Sequence, residues 1–335
     1  MSEARKTLHR HRVTVDLHGG EIALAVHEIT GARDGPTLAL LSTLHGGEWM
    51  SIEMTRRVVQ RLDPSQLSGR VLAVPVGNPG AFTNLTRNTP DESDSADLNR
   101  IFPGQFTWLA DLLAKAITEH VLKRCQYLID MHLGLWASSF FTVAWPKDLP
   151  NPDQVRQAGV MAQAFGCPMV LHRTIMHFPG PRSAIGYAGV HLGVVPMVAE
   201  IGGAGFAPEL EEQWIETVVN GIFSAMRAIG MLPGEPIRLD RYLHYNRHVR
   251  VNPSVAGYLL PEIGPDALMR AVEPGAVAGR VISPYSFEEL EVLRAPVKGV
   301  WALVSRPYPV RPGYWAFGVA DLSEPGTGWG PARET

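Results

Sequence analysis

The sequence predicts a large α/β domain followed by a small all-β domain. Up to residue 229, short apolar runs alternate with segments whose apolar residues recur at helical spacing, which is typical of a mixed sheet with flanking helices. Residues 230–236 contain two prolines and two glycines, and beyond this linker the helical periodicity disappears while short strand-like pieces lie between Pro and Gly turns. We therefore expect an α/β domain at residues 1–232 and a β-rich domain at residues 233–335.

The first part of the chain predicts a hairpin, a strand and a helix. Alternating apolar residues between positions 12 and 30 indicate two strands joined at residues 18–20. Residues 33–36 are predicted to form a turn, and the mainly aliphatic residues 38–44 a short buried strand. Apolar side chains at near-helical spacing then predict a helix over residues 48–62.

The remaining elements continue this alternation and then change character. The further predicted strands of the α/β part are residues 71–76, 128–132 and 193–201, and the further predicted helices are residues 108–124, 151–166 and 208–229. Asn151 followed by Pro152 is a favourable helix start, because Asn caps backbone N–H groups and Pro fits the first turn. In the β-rich part, the predicted strands are residues 256–260, 277–282, 300–304 and 315–319.

His45 and Glu48 lie where the predicted strand 38–44 turns into a helix. The carboxyl end of a strand is where open α/β sheets place their sites, and Gly46 and Gly47 allow a tight turn there. An imidazole and a carboxylate three residues apart suit a zinc ion, which needs a third protein ligand when it is catalytic. For this pair alone, a helix N-terminal turn with a solvated glutamate is the alternative.

His132 supplies a third candidate ligand. It ends the apolar run 128–132, a second predicted strand end, and Asp130 precedes it as a possible orienting carboxylate. Two such strand ends favour a site for one zinc ion, formed by His45, Glu48 and His132.

The segment between residues 78 and 104 is long and has little periodicity. Loops of this length inside a compact domain are usually either disordered or functional. Arg87 lies on one side of it, and Asn99 and Arg100 lie on the other. Taken one at a time, each of these three would be an ordinary solvated loop residue. Together and near a metal, they indicate a clamp for a carboxylate and a polarised carbonyl group.

Glu200 stands near the end of the apolar run 193–201. A carboxylate in such a run is costly to bury unless a charged group is close. Glu200 is therefore a candidate general base with a raised pKa, or a further metal ligand. A structural glutamate paired with an arginine is the alternative.

The composition is that of an ordinary globular protein, with 45% hydrophobic and 19% charged residues. A formal net charge of −3 gives no electrostatic argument for a nucleic-acid or membrane partner. The chain start lacks the apolar core of a signal peptide, and no apolar run approaches the ~20 residues of a membrane span, so a cytoplasmic location is expected. Cys125 and Cys167 are expected to be buried free thiols, and residues 9–12 a frayed, solvated terminus.

Five segments, taken in order, resemble the zinc-dependent succinylglutamate desuccinylase/aspartoacylase family, a branch of the metallocarboxypeptidase-like fold. They are residues 45–48 (HGGE), 74–79 (VPVGNP), 97–104 (DLNRIFPG), 129–132 (IDMH) and 199–203 (AEIGG). Residues 294–300 resemble the β-rich second domain of the bacterial deacylases, which is similar to a biotinyl/lipoyl-type barrel sandwich. The resemblance thus implies a zinc carboxypeptidase-like α/β domain followed by a barrel-sandwich-like domain.

The resemblance also implies an activity, namely removal of the acyl group from an N-acyl amino acid or a related amide that bears a carboxylate. The roles it implies are zinc ligation by His45, Glu48 and His132, activation of the zinc-bound water by Glu200, polarisation of the scissile carbonyl by Arg87, and binding of a substrate carboxylate by Asn99 with Arg100. The implied cofactor is one Zn²⁺ per chain. The implied partner is a small N-acyl amino acid, and a homo-oligomer is a possible assembly.

Three departures from the family pattern bear on the substrate. Gly47 stands where the family more often has Asp or another residue, and Arg87 lies 12 residues before Asn99, several more than in aspartoacylase. The arginine with which aspartoacylase binds the second carboxylate of its substrate has no clear match, although Arg182 and His191 are nearby options. These departures favour N-acyl amino acids other than N-acetylaspartate and succinylglutamate.

Other functions compete with the deacylase. A zinc carboxypeptidase acting on short peptides would use the same site residues. A catalytically silent binding protein is the second alternative, because the β-rich domain resembles a carrier module, yet Lys298 lacks the sequence setting of a lipoyl or biotin attachment site. A serine hydrolase is disfavoured, since the chain contains no G-x-S-x-G motif.

Overall fold

The computed structural model describes residues 3–15, 19–90, 93–134, 137–176 and 179–334. Within these ranges the strands are β1 (Arg5–Val15), β2 (Glu21–Thr30), β3 (Arg33–Leu41), β4 (Ser68–Val74), β5 (Tyr127–Gly134), β6 (Ser138–Pro146), β7 (Met169–Arg173), β8 (Val195–Gly203), β9 (Tyr242–Tyr245), β10 (His248–Val251), β11 (Gly257–Pro261), β12 (Ala271–Val272), β13 (Val277–Ile282), β14 (Glu289–Arg294), β15 (Gly299–Ser305), β16 (Tyr308–Val310), β17 (Phe317–Asp321) and β18 (Gly328–Gly330). The α-helices are α1 (Met50–Arg61), α2 (Pro79–Asn84), α3 (Leu109–His120), α4 (Pro152–Ala164), α5 (Ala184–Leu192) and α6 (Pro208–Ala228). Short 3-10 turns lie at Gly46–Glu48, Leu98–Arg100, Leu122–Arg124 and Pro265–Ala267.

Most of the described strands join one large mixed sheet. Its main path runs β1-β2-β4-β3-β5-β8-β6-β15-β17-β10. β3 pairs in parallel with β4 and β5, and β5 with β8, whereas β6 pairs antiparallel with β8 and β15. A second sheet, of order β14-β13-β11-β16, is built from C-terminal residues. The predicted mixed α/β sheet with flanking helices and a strand-rich C-terminal part is therefore confirmed.

The central parallel strands read as apolar runs because both of their faces are buried. Leu38 and Leu40 of β3 and Leu128 and Ile129 of β5 are fully shielded from solvent. Helix α1 packs against α6, α6 against α4, and α3 against β1 and β2. Since β3, β5 and β8 run in parallel, their carboxyl ends meet at one edge of the sheet.

Helix α4 begins as the sequence predicts. The Asn151 side chain accepts a hydrogen bond from the backbone N–H of Asp153, and Pro152 occupies the first helical position. None of the helices in the described ranges combines the length and the apolar character needed to span a membrane.

Two predictions for the N-terminal part are wrong. Residues 9–12 do not form a frayed terminus but lie in β1, which pairs antiparallel with β2. Residues 33–36 do not form a turn but belong to β3, with a register shift between Arg33 and Thr37 in its pairing with β4. In both places, strand pairing stabilises an extended backbone that local composition disfavours. The partner of residues 9–12 is the next strand, β2, whereas Arg33 pairs with Ser68 of the more distant β4.

The chain beyond residue 232 contributes to both sheets. Residues 303–305 of β15 pair with residues 138–140 of β6, and β9 pairs in parallel with β7. The division into domains at residues 232 and 233 stays a prediction. Cys125 and Cys167 are both buried and free, as expected.

Candidate active site

The chain turns sharply between β3 and α1. Thr43 has a φ of 52°, in the left-handed region. A Cβ at Gly46 would lie 1.9 Å from the carbonyl oxygen of Ala81 in α2, so only glycine fits this turn without a backbone shift. The turn places the side chains of His45 and Glu48 beside the end of β5.

His45, Glu48 and His132 form a buried cluster. Nδ1 of His45 lies 2.8 Å from Oε1 of Glu48, and Nδ1 of His132 lies 2.8 Å from Oε2 of the same carboxylate. One potential ligand atom from each residue lies within 4.8 Å of the other two. The structure thus brings together the three residues that the sequence predicts as metal ligands.

Each imidazole of the cluster has a second carboxylate near its other nitrogen. Nε2 of His45 lies 3.1 Å from Oδ1 of Asp97, and Nε2 of His132 lies 3.1 Å from Oδ2 of Asp130. A carboxylate in this position orients the ring and makes the nitrogen that faces a metal more basic. Asp130 is predicted from the sequence in this role, but Asp97 is not, because it lies in an irregular loop.

The charges of the cluster favour a cation. Burial alone would raise the pKa of Glu48, but His45 and His132 outweigh burial and lower this pKa to about 2. Burial alone would lower the pKa of His132, but the Asp130 and Glu48 carboxylates raise it well above its usual value. Two imidazole nitrogens and one carboxylate oxygen are donors that zinc prefers, so the residues present fit this ion.

Glu200 lies next to this cluster, because it pairs in register with His132 across β8 and β5. Its side chain is 15% exposed, and Nη1 of Arg173 lies 3.9 Å from its Oε1. Burial raises the pKa of the Glu200 carboxyl. A carboxyl with a raised pKa is suited to accept and return a proton near neutral pH.

Asn99 and Arg100 lie in the 3-10 turn before α3. Oδ1 of Asn99 accepts a hydrogen bond from the backbone N–H of Ala184 at 2.8 Å, and its Nδ2 lies 3.1 Å from Nε2 of His132. Nη1 of Arg100 donates to the main-chain oxygen of Asn99 at 2.6 Å. Burial lowers the pKa of Arg100, so its guanidinium sits where an anion would be favourable.

Arg87 is near the cluster, whereas Arg182 and His191 are not. Nε and Nη2 of Arg87 donate to Oδ2 of Asp97 at 3.2 and 3.0 Å. Arg182 donates to main-chain oxygens of the loop that precedes α3, and His191 is exposed on α5. Arg182 and His191 are the two candidates for binding a second carboxylate of the substrate, and neither lines the cavity that contains the cluster.

One cavity of about 680 Å³ joins the predicted site residues. Its lining includes His45, Glu48, Arg87, Asn99, Arg100, His132 and Glu200. Part of its wall comes from the C-terminal region, namely residues 246–248, Arg250 and residues 311–315. These residues and Arg173 are not predicted from the sequence, because no local motif marks them and only distant strand pairing brings them to the cavity.

Comparison with known proteins adds a sequence relationship over the α/β part. The catalytic-domain model of the succinylglutamate desuccinylase/aspartoacylase family matches residues 34–229. The N-alpha-acetyl-L-2,4-diaminobutyric acid deacetylase of Halomonas elongata is 29% identical over 205 residues, which cover 60% of this chain and 57% of that protein. The chain thus matches less than two thirds of the length of this curated relative.

Two solved structures share the fold over different lengths. The ectoine utilization protein of Ruegeria pomeroyi, in its product-bound structure, superposes with a TM-score of 0.81 at 19% identity and covers 96% of this chain and 97% of its own. Carboxypeptidase A of Helicoverpa armigera superposes with a TM-score of 0.52 at 15% identity and covers 66% of this chain and 68% of its own. The carboxypeptidase-like fold predicted from the sequence is confirmed.

Proposed function

Because the chain belongs to the succinylglutamate desuccinylase/aspartoacylase family, we propose that it is a zinc-dependent amidohydrolase that removes the acyl group from an N-acyl amino acid. The observation that carries this proposal is the buried cluster of His45, Glu48 and His132, beside Glu200 in a single cavity. A partly enclosed cavity of about 680 Å³ has the volume of a small-molecule site.

The clustered residues are the proposed zinc ligands. His45 and His132 would contribute Nδ1, and Glu48 a carboxylate oxygen, since these atoms face one another. A bound zinc ion supplies a Lewis acid that activates water and polarises a carbonyl group. Asp97 lies within hydrogen-bond distance of Nε2 of His45, and Asp130 lies 3.1 Å from Nε2 of His132, where carboxylates are proposed to orient the two rings.

Glu200 is the proposed proton carrier. Its carboxylate takes the proton of the attacking water and then passes it to the amide nitrogen, which leaves as a free amine. The raised pKa of its carboxyl brings the proton affinity of Glu200 closer to working pH, where general acid–base catalysis is most effective.

The loop residues are proposed to position the substrate. Arg100 binds the substrate carboxylate next to the scissile amide, and the amide of Asn99, which lines the same cavity, assists. Arg87 is held by Asp97 at the cavity wall and is the proposed partner of the scissile carbonyl oxygen.

The name of one relative suggests a candidate substrate within this class. The relative from Halomonas elongata is named for N-alpha-acetyl-L-2,4-diaminobutyric acid, which is one candidate member of the substrate class. A cytoplasmic location, one zinc ion per chain and a homo-oligomer remain predictions from the sequence.

The proposal is tested with a panel of N-acyl amino acids and dipeptides, assayed for release of free amine by zinc-supplemented protein. We expect at least one N-acyl amino acid to be cleaved. Glu200→Gln should lower kcat for that compound by ~10²–10⁴-fold, the usual contribution of general acid–base catalysis. The zinc content and the melting temperature of the variant should stay unchanged.

The matched control is Glu209→Gln, since Glu209 is exposed in the first turn of α6 and does not line the cavity. Cleavage of dipeptides but of no N-acyl amino acid would replace the deacylase with a carboxypeptidase. If Glu200→Gln cleaves as fast as the unchanged chain, Glu200 is not the proton carrier.

A further inference from the structure

Five large apolar side chains are exposed around helix α2. Trp49 follows the turn between β3 and α1, Phe82 lies in α2 and Leu85 ends it, and Phe106 and Trp108 precede α3. Their exposed fractions range from 36% to 64%. We call these five side chains the α2 patch.

Helix α2 holds the parts of this patch close together. A Cβ at Gly46 would lie 2.4 Å from the backbone nitrogen of Phe82, so the turn that leads into Trp49 packs against α2. A Cβ at Gly80 would lie 3.8 Å from Cδ2 of Leu109, so the start of α3 also packs against α2. The patch is therefore one apolar surface, of the kind that marks an interaction site when it is large.

The segment that carries Phe106 and Trp108 is held in place by its backbone. The N–H groups of Gln105 and Phe106 donate to Oδ1 of Asp111 at 2.9 and 3.3 Å. Trp108 occupies the N-cap position of α3. A surface whose backbone is already ordered loses less conformational entropy when a partner covers it.

The size of the α2 patch fits the centre of a stable protein–protein interface. Aromatic side chains bury about 150–250 Å² each when they are covered, so the exposed fractions correspond to roughly 500 Å² on each copy. A standard interface buries about 800 Å² on each partner. Exposed polar neighbours can supply the rim, namely Thr83, Asn84, Gln105 and Thr107.

The charge pattern favours a second copy of this chain as the partner. Residues 79–86 and 105–109 contain no charged side chain. In a twofold-symmetric dimer each surface meets an identical surface, so a charge near the axis would face its own copy. An uncharged aromatic surface avoids this repulsion, and the centres of homodimer interfaces are likewise poor in charge.

Another pair of exposed aromatic side chains has a different setting. Tyr285 and Phe287, at the tip of the hairpin between β13 and β14, are even more exposed than the α2 patch. Glu288 and Glu289 follow directly. Contact of this tip with its own copy would bring carboxylates together, which is unfavourable.

We infer that the α2 patch is the contact surface of a homodimer, in which Phe106 and Trp108 of each copy pack against the α2 patch of the other copy. This inference assigns a surface to the homo-oligomer that the sequence leaves open. It is independent of the proposed function, because neither a metal ion nor a substrate takes part in the contact.

Analytical ultracentrifugation of the full chain tests the dimer. We expect a mass of twice 36.7 kDa at micromolar concentrations. The dimer should persist at high salt, since an uncharged contact is not screened. Changing Phe106→Ser together with Trp108→Ser should raise the dimer dissociation constant by at least about 30-fold, the effect of losing one hot-spot side chain.

The melting temperature shows whether this double variant folds. Serine is a favoured N-cap residue, so the change at Trp108 does not weaken the start of α3. Thr107→Glu is a second variant, because a carboxylate at a helix N-terminus is compatible with the fold. In the dimer, however, the two new carboxylates would lie within the same interface, so this variant should also dissociate.

The matched control changes Tyr285→Ser together with Phe287→Ser, which removes two exposed aromatic side chains at the same spacing and should keep the dimer. Hydrogen exchange at high and low protein concentration locates the contact. Slower exchange of residues 79–86 and 105–109 at high concentration supports the inference, whereas slowing confined to other segments overturns it.

Three further results would overturn the homodimer. The first is a chain that stays monomeric at every concentration up to its solubility limit. The second is a dimer that survives in both patch variants or is lost only in the control. The third is a monomer whose α2 patch binds phosphatidylcholine vesicles, since a membrane surface would then take the place of the second copy.

Discussion

At the scale of single residues, the metal cluster is organised around one carboxylate. Glu48 lies between two imidazoles, and each imidazole faces a further carboxylate on its outer side. Because these groups are charged or polar and mostly buried, removal of one leaves the charges of its neighbours less well compensated. The arrangement separates the residues proposed to bind a metal ion from the residues proposed to orient them.

These two roles predict that a ligand variant loses more zinc than an orienting-residue variant. Protein purified without chelators should contain about one zinc per chain, and His132→Ala should lose most of it, because a ligand is gone. Asp97→Asn should keep the site but weaken zinc affinity by about 10- to 100-fold, since only ring orientation is affected. Elemental analysis and competition with a chromogenic chelator measure both effects.

Asp94→Asn is the control for Asp97→Asn, because Asp94 lies in the same loop but caps backbone N–H groups away from the cavity. If Asp97→Asn and the unchanged chain bind zinc with equal affinity, Asp97 does not orient His45. Full zinc content in His132→Ala would remove His132 from the ligand set.

At the scale of elements, the β3–α1 turn is fixed by its contact with α2. The backbone N–H of Gly46 donates to the carbonyl of Thr86 at 2.8 Å, and the space for a side chain is filled by the backbone of Ala81. The position of His45 therefore depends on a segment that lies almost forty residues further along the chain.

Gly46→Ala should consequently damage both stability and the metal site. The added methyl group forces backbone atoms apart, which typically costs 1–3 kcal/mol in the free energy of unfolding, and it displaces the neighbouring imidazole. Urea denaturation and zinc content measure the two effects. Gly330→Ala, whose Cβ would meet no atom within 4 Å, should change neither, and a Gly46→Ala chain of unchanged stability would contradict the packing argument.

The sequence predicts well what local chemistry determines. The Asn151 cap, the strand ends at His45 and His132, and the carboxylate in an apolar strand at Glu200 all depend on neighbours a few residues away. By contrast, Arg250 reaches the cavity only because β10 pairs with β17 and β17 with β15. No short pattern encodes a pairing between strands tens of residues apart, and the wrong prediction for residues 33–36 has the same cause, since Arg33 pairs with Ser68.

At the scale of the whole molecule, a pair of buried histidines links the α/β part to the end of the chain. Nε2 of His244 lies 3.3 Å from the carbonyl oxygen of Pro331, and Nδ1 of His244 lies 2.9 Å from Nε2 of His172. Since His244 must donate to the carbonyl, its Nδ1 accepts from His172, and both rings are neutral. Burial lowers the pKa of His172 to about 3 and that of His244 to about 4.

These lowered pKa values predict loss of stability in acid. Below the ordinary pKa of 6.5 the unfolded chain binds protons at both histidines, while the folded chain does so only near pH 3 to 4. The free energy of unfolding should therefore fall as pH drops below 7, by about 2–3 kcal/mol between pH 7 and pH 5.5 from this pair. Urea midpoints across this range measure the slope.

His172→Gln keeps a donor toward His244 but removes one titrating group, so its pH slope should be shallower. His191→Gln, at an exposed position of α5, should keep the slope of the unchanged chain. Identical slopes in His172→Gln and the unchanged chain would exclude His172 from the acid sensitivity.

The pairing of β6 with β15 has a consequence for how the protein matures in the cell. Strand β6 pairs with β8, but it gains β15 as a further neighbour only when residues 303–305 have been synthesised. The cavity gains Arg250 and Trp315 at a similarly late point. On the ribosome, where chains emerge at about 5–20 residues per second, the proposed zinc ligands are thus synthesised many seconds before the residues that complete the cavity wall. If the proposed function holds, a metal ion can bind before the cavity is complete, and the nascent chain carries its proposed ligands before it can retain a substrate.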